Sequence, residues 1–364
     1  MDVNRALNMP LAAVDSDRSR SHLADPASAH VTRPIDVTVI IVSYKSAKLT
    51  IEALRSLVAE RATPGLHIRA VVVDNASGDM PEIAQALDLF DWTSWVTLVL
   101  APINGGFAYG NNLGIVHAYA SGAPSYVFLL NPDTQARPGA IGSLVRFLEA
   151  NPNVGIAGCS FESADGSDWP FAFRFPTLMS ELTQGLDFGL ITRLLRSRTT
   201  LRSMTRSEEQ VDWISGAAVM IRPKVLETIG GLDENYFLCF EETDFCRRAR
   251  SAGFATWYVP ESRVMHIGGF STNPHNLRMP SHWFESRRRY FAVTFGIPRA
   301  MAIDVVAVLA HLLGSLKRMV QWRRHTAVPY YIRDLVRHSV IWRRNRNIPP
   351  ARSRIPPTAR TTPQ

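Results

Sequence analysis

Three carboxylates crowd into four residues at Glu241, Glu242 and Asp244. A carboxylate so placed can act as general base toward a hydroxyl. The same acidic run also suits the first turn of a helix, where negative charge meets the positive end of the dipole. Two further aspartates, Asp74 and Asp133, each follow a short apolar run. A carboxylate there can accept hydrogen bonds from a base or ribose. In apolar surroundings it is costly unless paired, hydrogen-bonded or on a metal, and a hard cation that bridges phosphates takes one or two protein carboxylates. The competing reading is that each Asp starts a turn or caps a helix. His266 precedes Gly268 and Gly269 and reads as a metal ligand or a structural hydrogen-bonding group. The run 104–114, Asn-Gly-Gly-Phe-Ala-Tyr-Gly-Asn-Asn-Leu-Gly, would let a backbone approach a ligand closely and offer an anion the start of a helix. It lacks the Gly-Lys-Ser/Thr ending of a phosphate-binding loop and the glycine spacing of a dinucleotide fingerprint.

These groups need elements to position them. Residues 37–44 form a β-branched apolar run of strand length, followed by a helical pattern with Leu49, Ala53, Leu54 and Leu57 on one face. Further strands are expected at 68–73, 96–100 and 126–130, with a helix near 112–120 after the Gly-rich run. Strands alternating with helices predict an α/β fold with a mainly parallel sheet, helices on both faces, and ligands beyond the carboxyl ends of the strands. Ser43, Tyr44, Asp74, Asn75, Asn104, Gly105, Gly106 and Asp133 all fall at such ends. The pattern blurs over 161–210, sharpens at 211–221, gives a helix over 241–252 that Gly253 ends, and resumes a strand at Trp257.

The 364 residues include 46% hydrophobic ones, enough for a substantial core. Three cysteines, Cys159, Cys239 and Cys246, have neither zinc-like nor paired spacing, which fits a reducing compartment. Residues 1–34 carry no apolar run and read as a disordered leader. The net charge of +8 is uneven: residues 285–364 hold 16 basic and 3 acidic side chains, and the preceding part is net −5. Such a tail could meet anionic lipid or nucleic acid. Within it, 300–315 is apolar but interrupted by Asp304 and His311, and Lys317, Arg318, Trp322, Arg323 and Arg324 follow. That segment falls short of a bilayer span and reads as a helix lying in the membrane interface or packed on the core. The division expected is a leader (1–34), a main domain (35–296), a basic helical extension (297–346) and a disordered tail (347–364).

Taken in order, these pieces resemble the family 2 inverting glycosyltransferases of GT-A fold, especially the bacterial rhamnosyltransferase-like and galactofuranosyltransferase-like branch. The resemblance covers roughly residues 35–296 and includes Val42-Ser43-Tyr44, Asp74-Asn75-Ala76-Ser77, the run 104–112, Asn131-Pro132-Asp133, Trp213 to Ala217, Gly230 to Glu234, Phe240 to Asp244, and His266. It implies a nucleotide-sugar site at Ser43, Tyr44, Asp74, Asn75, Asn104, Gly105, Gly106, Asn111, Asn131 and Asp133. It places Mg²⁺ or Mn²⁺ on Asp133 and His266, with Asn131 standing where the first Asp of the family's metal motif usually is. Trp213 and Asp244 would meet the acceptor. Glu242 aligns with the catalytic base, usually an Asp, and Glu241 is its rival. The implied reaction moves a sugar, rhamnose favoured, from a dTDP- or UDP-sugar donor to a lipid-linked or growing polysaccharide acceptor. The implied location is the cytoplasm, peripheral to the inner face of an anionic membrane, with no nucleic-acid partner. Three rival readings are a nucleotidyltransferase of similar fold, for which Lys45-Ser46-Ala47 is a poor loop, a polysaccharide synthase of the same superfamily, whose Gln-X-X-Arg-Trp motif Gln321-Trp322-Arg323 does not fit, and a non-enzymatic nucleic-acid-binding protein with a basic tail.

Overall fold

A computed structural model describes residues 34–163, 165–169, 172–186, 199–200, 206–267, 278–320 and 328–342. The expected leader over 1–33, Gly268 and Gly269, Trp322 with Arg323 and Arg324, and the tail 347–364 lie outside those residues.

The chain opens as β1 (Ile35–Ser43), α1 (Ala47–Arg61), β2 (Leu66–Asp74), α2 (Met80–Leu89), β3 (Val96–Leu100), α3 (Gly106–Ala120) and β4 (Tyr126–Leu130). It continues with β5 (Thr134–Ala136), α4 (Ala140–Ala150), β6 (Val154–Glu162), β7 (Asp168–Trp169), β8 (Ala172–Phe173) and α5 (Leu178–Leu186). Next come β9 (Glu209–Val211), β10 (Trp213–Ile214), β11 (Ala218–Ile221), α6 (Pro223–Ile229), α7 (Glu241–Ser251) and β12 (Ala255–His266). The last described elements are α8 (Ser281–Phe295), α9 (Ile297–Val320) and α10 (Tyr331–Trp342).

The main sheet runs β3-β2-β1-β4-β11-β6-β12-β5. Its first four strands are parallel, β11 lies antiparallel between β4 and β6, and β6 and β12 are parallel. Val37, Val39 and Ile41 of β1 belong to one core and Ile40 to another. Successive side chains of a strand point to opposite faces, so a strand covered on both sides must be apolar throughout. That is why β1 reads as an unbroken apolar run. The antiparallel pairing of β12 with β5 sets His266 opposite Thr134, beside Asp133.

Two expectations need correction. The helix expected near 112–120 begins at Gly106, so the Gly- and Asn-rich run is mostly helix. Its glycines serve packing: a Cβ at Gly110 would lie 2.6 Å from Val42 Cγ1, and one at Gly114 would lie 2.5 Å from Ile40 Cγ2. The apolar C-terminal segment is also longer than expected, since α9 spans 24 residues. One side of it packs on α5, α8 and α10. The interrupting Asp304 is buried and accepts hydrogen bonds from Arg287 and Arg288, while His311 lies against the Tyr331 ring. Burial of Arg287, Arg288 and Arg289 removes three charges from the basic surface that composition implies.

Candidate active site

Ser43 ends β1 with no exposed surface. Its hydroxyl donates to Asp79 Oδ2 at 2.6 Å and accepts from Thr50 at 3.0 Å. Asp74 ends β2, equally enclosed. One of its oxygens accepts the Ser77 N–H at 2.9 Å and the Ser77 hydroxyl at 2.7 Å, and the other accepts the Met80 N–H at 3.0 Å. Both residues were expected to touch nucleotide; as placed, their polar atoms shape the loops after β1 and β2. Tyr44, 46% exposed, is the expected residue at this edge with surface to offer.

Asn75 ties this edge to the next loop. Its amide donates to Asn104 Oδ1 at 3.0 Å and to the Gly106 carbonyl at 3.2 Å, and it accepts the Gly105 N–H at 3.4 Å. Gly106 has φ +85°, and a Cβ there would lie 2.0 Å from the Phe237 carbonyl oxygen, which also accepts the Phe107 N–H at 2.9 Å. Only glycine can start α3 so close to the loop leading into α7. Asn112 exchanges hydrogen bonds of 2.8 and 2.9 Å with the Leu232 backbone, fixing the same loop from within α3. Asn111 is turned inward: it is 1% exposed and its amide donates to the Phe107 carbonyl at 3.0 Å.

Beyond β4, the Asn131 N–H donates to the Ala217 carbonyl at 2.8 Å and the Asp133 carbonyl accepts the Ile267 N–H at 3.0 Å. Asp133 Oδ2 stands 3.4 Å from His266 Nε2. Asp133 Oδ1 and Asn131 Oδ1 are buried and have no hydrogen-bond partner among the described residues. Buried oxygens are rarely left so. Two hard oxygens beside an imidazole are a donor set that suits Mg²⁺ or Mn²⁺. No group of three or more His, Cys, Asp or Glu side chains able to hold a metal occurs among the described residues, so phosphate and water would have to complete the shell.

The third part of the site surrounds the start of α7. Cys239 and Phe240, just before it, have φ of 71° and 69°, a region that costs a non-glycine residue about 1–3 kcal/mol. Packing holds them there: the Phe240 ring lies 5.8 Å from Trp283 and 5.6 Å from Tyr290. The turn delivers Glu242 into the wall of a cavity of about 600 Å³, together with Phe173, Trp213, Phe240, Trp283 and Glu181. Phe173 and Trp213 stack at 4.2 Å with rings 14° apart, and the indole N–H donates to the Arg174 carbonyl at 2.9 Å. Burial raises the Glu242 carboxyl from 4.5 to about 6, against the lowering effect of backbone N–H groups at Glu242, Thr243 and Gly216. Its Oε2 has no partner among the described residues. Glu241 is 3% exposed and is pushed well above the usual range by burial and then by the Glu242 charge, but it is not part of the cavity wall. Geometry therefore separates the two glutamates that sequence leaves as rivals.

Asp244, expected at the acceptor, is instead 1% exposed and bound by Arg247 at 2.7 Å and Arg248 at 2.8 Å. One helical turn brings those arginines back onto it, and it too stands outside the cavity wall. The structure adds residues that the sequence reading passed over: Asp79 under Ser43, and Phe173, Glu181 and Trp283 around the cavity. Asp79 could have been found from its place in the polar turn 74–79. Glu181 and Trp283 carry no local signal, since only folding brings α5 and α8 to the cavity.

A mainly parallel sheet with carboxylates beyond its strand ends, next to an aromatic cavity, is the frame of a GT-A glycosyltransferase. The family described as glycosyltransferase like family 2 matches residues 34–295, and the chain belongs to it. Over 151 residues the chain is 32% identical to the N-acetylglucosaminyl-diphospho-decaprenol L-rhamnosyltransferase of Mycobacterium tuberculosis (strain CDC 1551 / Oshkosh), a match covering 40% of this chain and 48% of that protein. It thus spans about half the length of that relative. The dTDP-rhamnosyl transferase RfbF of Shigella flexneri is 25% identical over 259 residues, 71% of this chain and 77% of its own. Among solved structures, the mannosyltransferase PcManGT from Pyrobaculum calidifontis, in complex with GDP-Man and Mn²⁺, shares the fold with a TM-score of 0.51 at 17% identity, covering 87% of this chain and 89% of that one.

Proposed function

We propose that this chain transfers a sugar, rhamnose first, from a dTDP- or UDP-sugar to a hydroxyl of a lipid-linked or growing polysaccharide acceptor, inverting the anomeric centre. The observation that carries the reading is Glu242, a carboxylate raised to about 6 in the wall of an aromatic cavity. Roughly nine-tenths of it is ionised at pH 7, while its basicity stays close to the working pH, as general-base catalysis requires. Trp213 and Phe173, both in the cavity wall, suit a sugar ring, whose C–H faces pack on aromatics while its hydroxyls reach polar atoms. Glu242 takes the proton of the acceptor hydroxyl as that oxygen bonds to the anomeric carbon. The bond from that carbon to the diphosphate oxygen breaks on the opposite face, and its electron pair leaves with the nucleoside diphosphate.

Asp133 and His266, with Asn131 alongside, would hold Mg²⁺ or Mn²⁺, and their orphaned oxygens fit that task. Such an ion, when bound, supplies positive charge to the departing diphosphate. The names of the mycobacterial and Shigella relatives favour rhamnose, a dTDP donor and a polyprenol-linked acceptor. Three free thiols suit the cytoplasm, and a lipid-linked acceptor would bring the protein to the inner face of the membrane.

The test is release of nucleoside diphosphate from a panel of dTDP- and UDP-sugars with Mg²⁺, with Mn²⁺ and with EDTA, each with and without a lipid-linked saccharide. Release from one donor, lost in EDTA and in Asp133→Ala, is the expected result. Release unaffected by EDTA or by Asp133→Ala would remove the role given to Asp133. No release and no binding of dTDP or UDP would end the transferase reading.

A further inference from the structure

The two sides of α9 have different neighbours. Ala300, Ile303, Ala307 and Ala310 are buried against the rest of the protein. Val305, Leu309, Leu312, Leu313, Leu316 and Met319 are between 48% and 66% exposed. With 3.6 residues per turn, those six fall within an arc of about 120° and a length of about 21 Å. Mean hydropathy over Ile297–Met319 is 1.6, yet only 33% of the apolar window is buried. A helix on the surface of a water-soluble domain turns polar side chains outward. Here the outward stripe is aliphatic.

We propose that this stripe is a bilayer-docking face that seats in the interfacial zone of an anionic membrane. Charge selects that occupant over a second copy of the chain. Lys317 and Arg318 close the helix, and the neighbouring α10 carries the exposed Arg333 and Arg337. Residues 285–364 hold 16 basic and 3 acidic side chains; among the described residues, Arg287, Arg288 and Arg289 are buried in ion pairs and Arg333 pairs with the buried Asp334 while staying exposed itself. A self-association face bordered by Lys317, Arg318, Arg333 and Arg337 would set like charge against like, whereas anionic headgroups complement it. The inner side of α9 argues against crossing. Asp304 is paired there with Arg287 and Arg288, and Arg287 also holds Glu181 at 2.6 Å. A span would carry this charged cluster into hydrocarbon, while an in-plane helix wets only its outer stripe.

The docking face adjoins the acceptor cavity through a single helix. A Cβ at Gly314 of α9 would lie 2.2 Å from the Gly185 carbonyl oxygen of α5, so the two backbones are in direct contact. The same helix supplies Ser180, Glu181, Thr183 and Gln184 to the cavity. A saccharide anchored in the bilayer by a lipid tail would thus be presented to a cavity one helix away. This last consequence rests on the lipid-linked acceptor proposed above; the docking face itself does not.

The test uses the full chain and flotation with vesicles of phosphatidylcholine alone or with phosphatidylglycerol, at low and at high salt. The double variant Leu309→Glu/Leu316→Glu changes two exposed positions outside the cavity wall. Wild type should float with the anionic vesicles, and the double variant should lose about tenfold or more of that binding, with donor-only release of nucleoside diphosphate unchanged. Equal flotation of variant and wild type would overturn the proposal. So would binding abolished by salt but indifferent to the variant, which assigns attachment to the basic tail alone. A lipid-free dimer that the variant turns into monomer would give the stripe to a second copy. Donor turnover without flotation removes the docking face and leaves the transferase; flotation without turnover or nucleotide binding does the reverse.

Discussion

Replacing Glu242 by Gln keeps the size of the side chain and removes its ability to accept a proton. General-base catalysis contributes about 10²–10⁴-fold, so kcat should fall by that factor. In the wild type, a base at about 6 makes the ionised fraction, and with it kcat/KM, drop roughly 16-fold between pH 6 and pH 4.5 and level off above pH 7. Stability should move in the opposite sense. The folded carboxyl sits at about 6 and its ordinary value is 4.5, so the folded state holds its proton more tightly. That advantage is complete below pH 4.5 and is lost as pH rises through 6. A shift of this size corresponds to about 2 kcal/mol, so wild type should be about 2 kcal/mol less stable at pH 7 than at pH 4.5 from this group alone. Glu241, raised partly by the Glu242 charge, adds to the same trend and is relieved by the same substitution. Urea denaturation of both proteins at the two pH values should therefore show Glu242→Gln more stable at pH 7 and nearly equal at pH 4.5. A variant that keeps wild-type kcat, or that is less stable than wild type at pH 7, would refute the reasoning.

Three further outcomes are expected. Gly106→Ala should destabilise by roughly 1–3 kcal/mol in urea denaturation, because it combines a positive φ with a Cβ 2.0 Å from the Phe237 carbonyl. Arg287→Ala should cost about 3–5 kcal/mol, leaving Glu181 and Asp304 without their shared partner, and the unfolding midpoint reads this directly. Trp213→Ala should raise the acceptor KM roughly tenfold by removing the stack on Phe173, with donor-only hydrolysis unchanged; equal losses in both assays would move Trp213 out of the acceptor site.

The first four strands were legible because β-branched runs closed by polar turns leave little else to form, and each lies within two residues of its expected span. The run after β3 misled because glycine and asparagine signal a loop, whereas Gly110 and Gly114 are the flat face on which α3 lies against β1. The order of polar motifs singled out Asp133, His266 and Glu242, which the fold sets at the ends of β4 and β12 and at the start of α7. It carried no sign of the internal hydrogen bonds that Ser43, Asp74, Asn111 and Asp244 make, because their partners are fixed only by the folded loops and helices. The cavity was out of reach because Phe173, Glu181 and Trp283 come from separate segments that only tertiary packing joins. The charged interior of the C-terminal helices was hidden for the same reason: Arg287, Arg288 and Arg289 read as surface charge until Glu181, Asp304 and Asp233 are placed beside them.

The central claim is a single displacement in which Glu242 deprotonates an acceptor hydroxyl. Its most direct test is the anomeric configuration of the product, read by NMR after incubation of dTDP-rhamnose, or whichever donor turns over, with a lipid-linked saccharide. The account predicts a new glycosidic bond of configuration opposite to the donor, formed at a rate that collapses in Glu242→Gln. A product that retains the donor configuration, or an inverted product made equally well without Glu242, would contradict it.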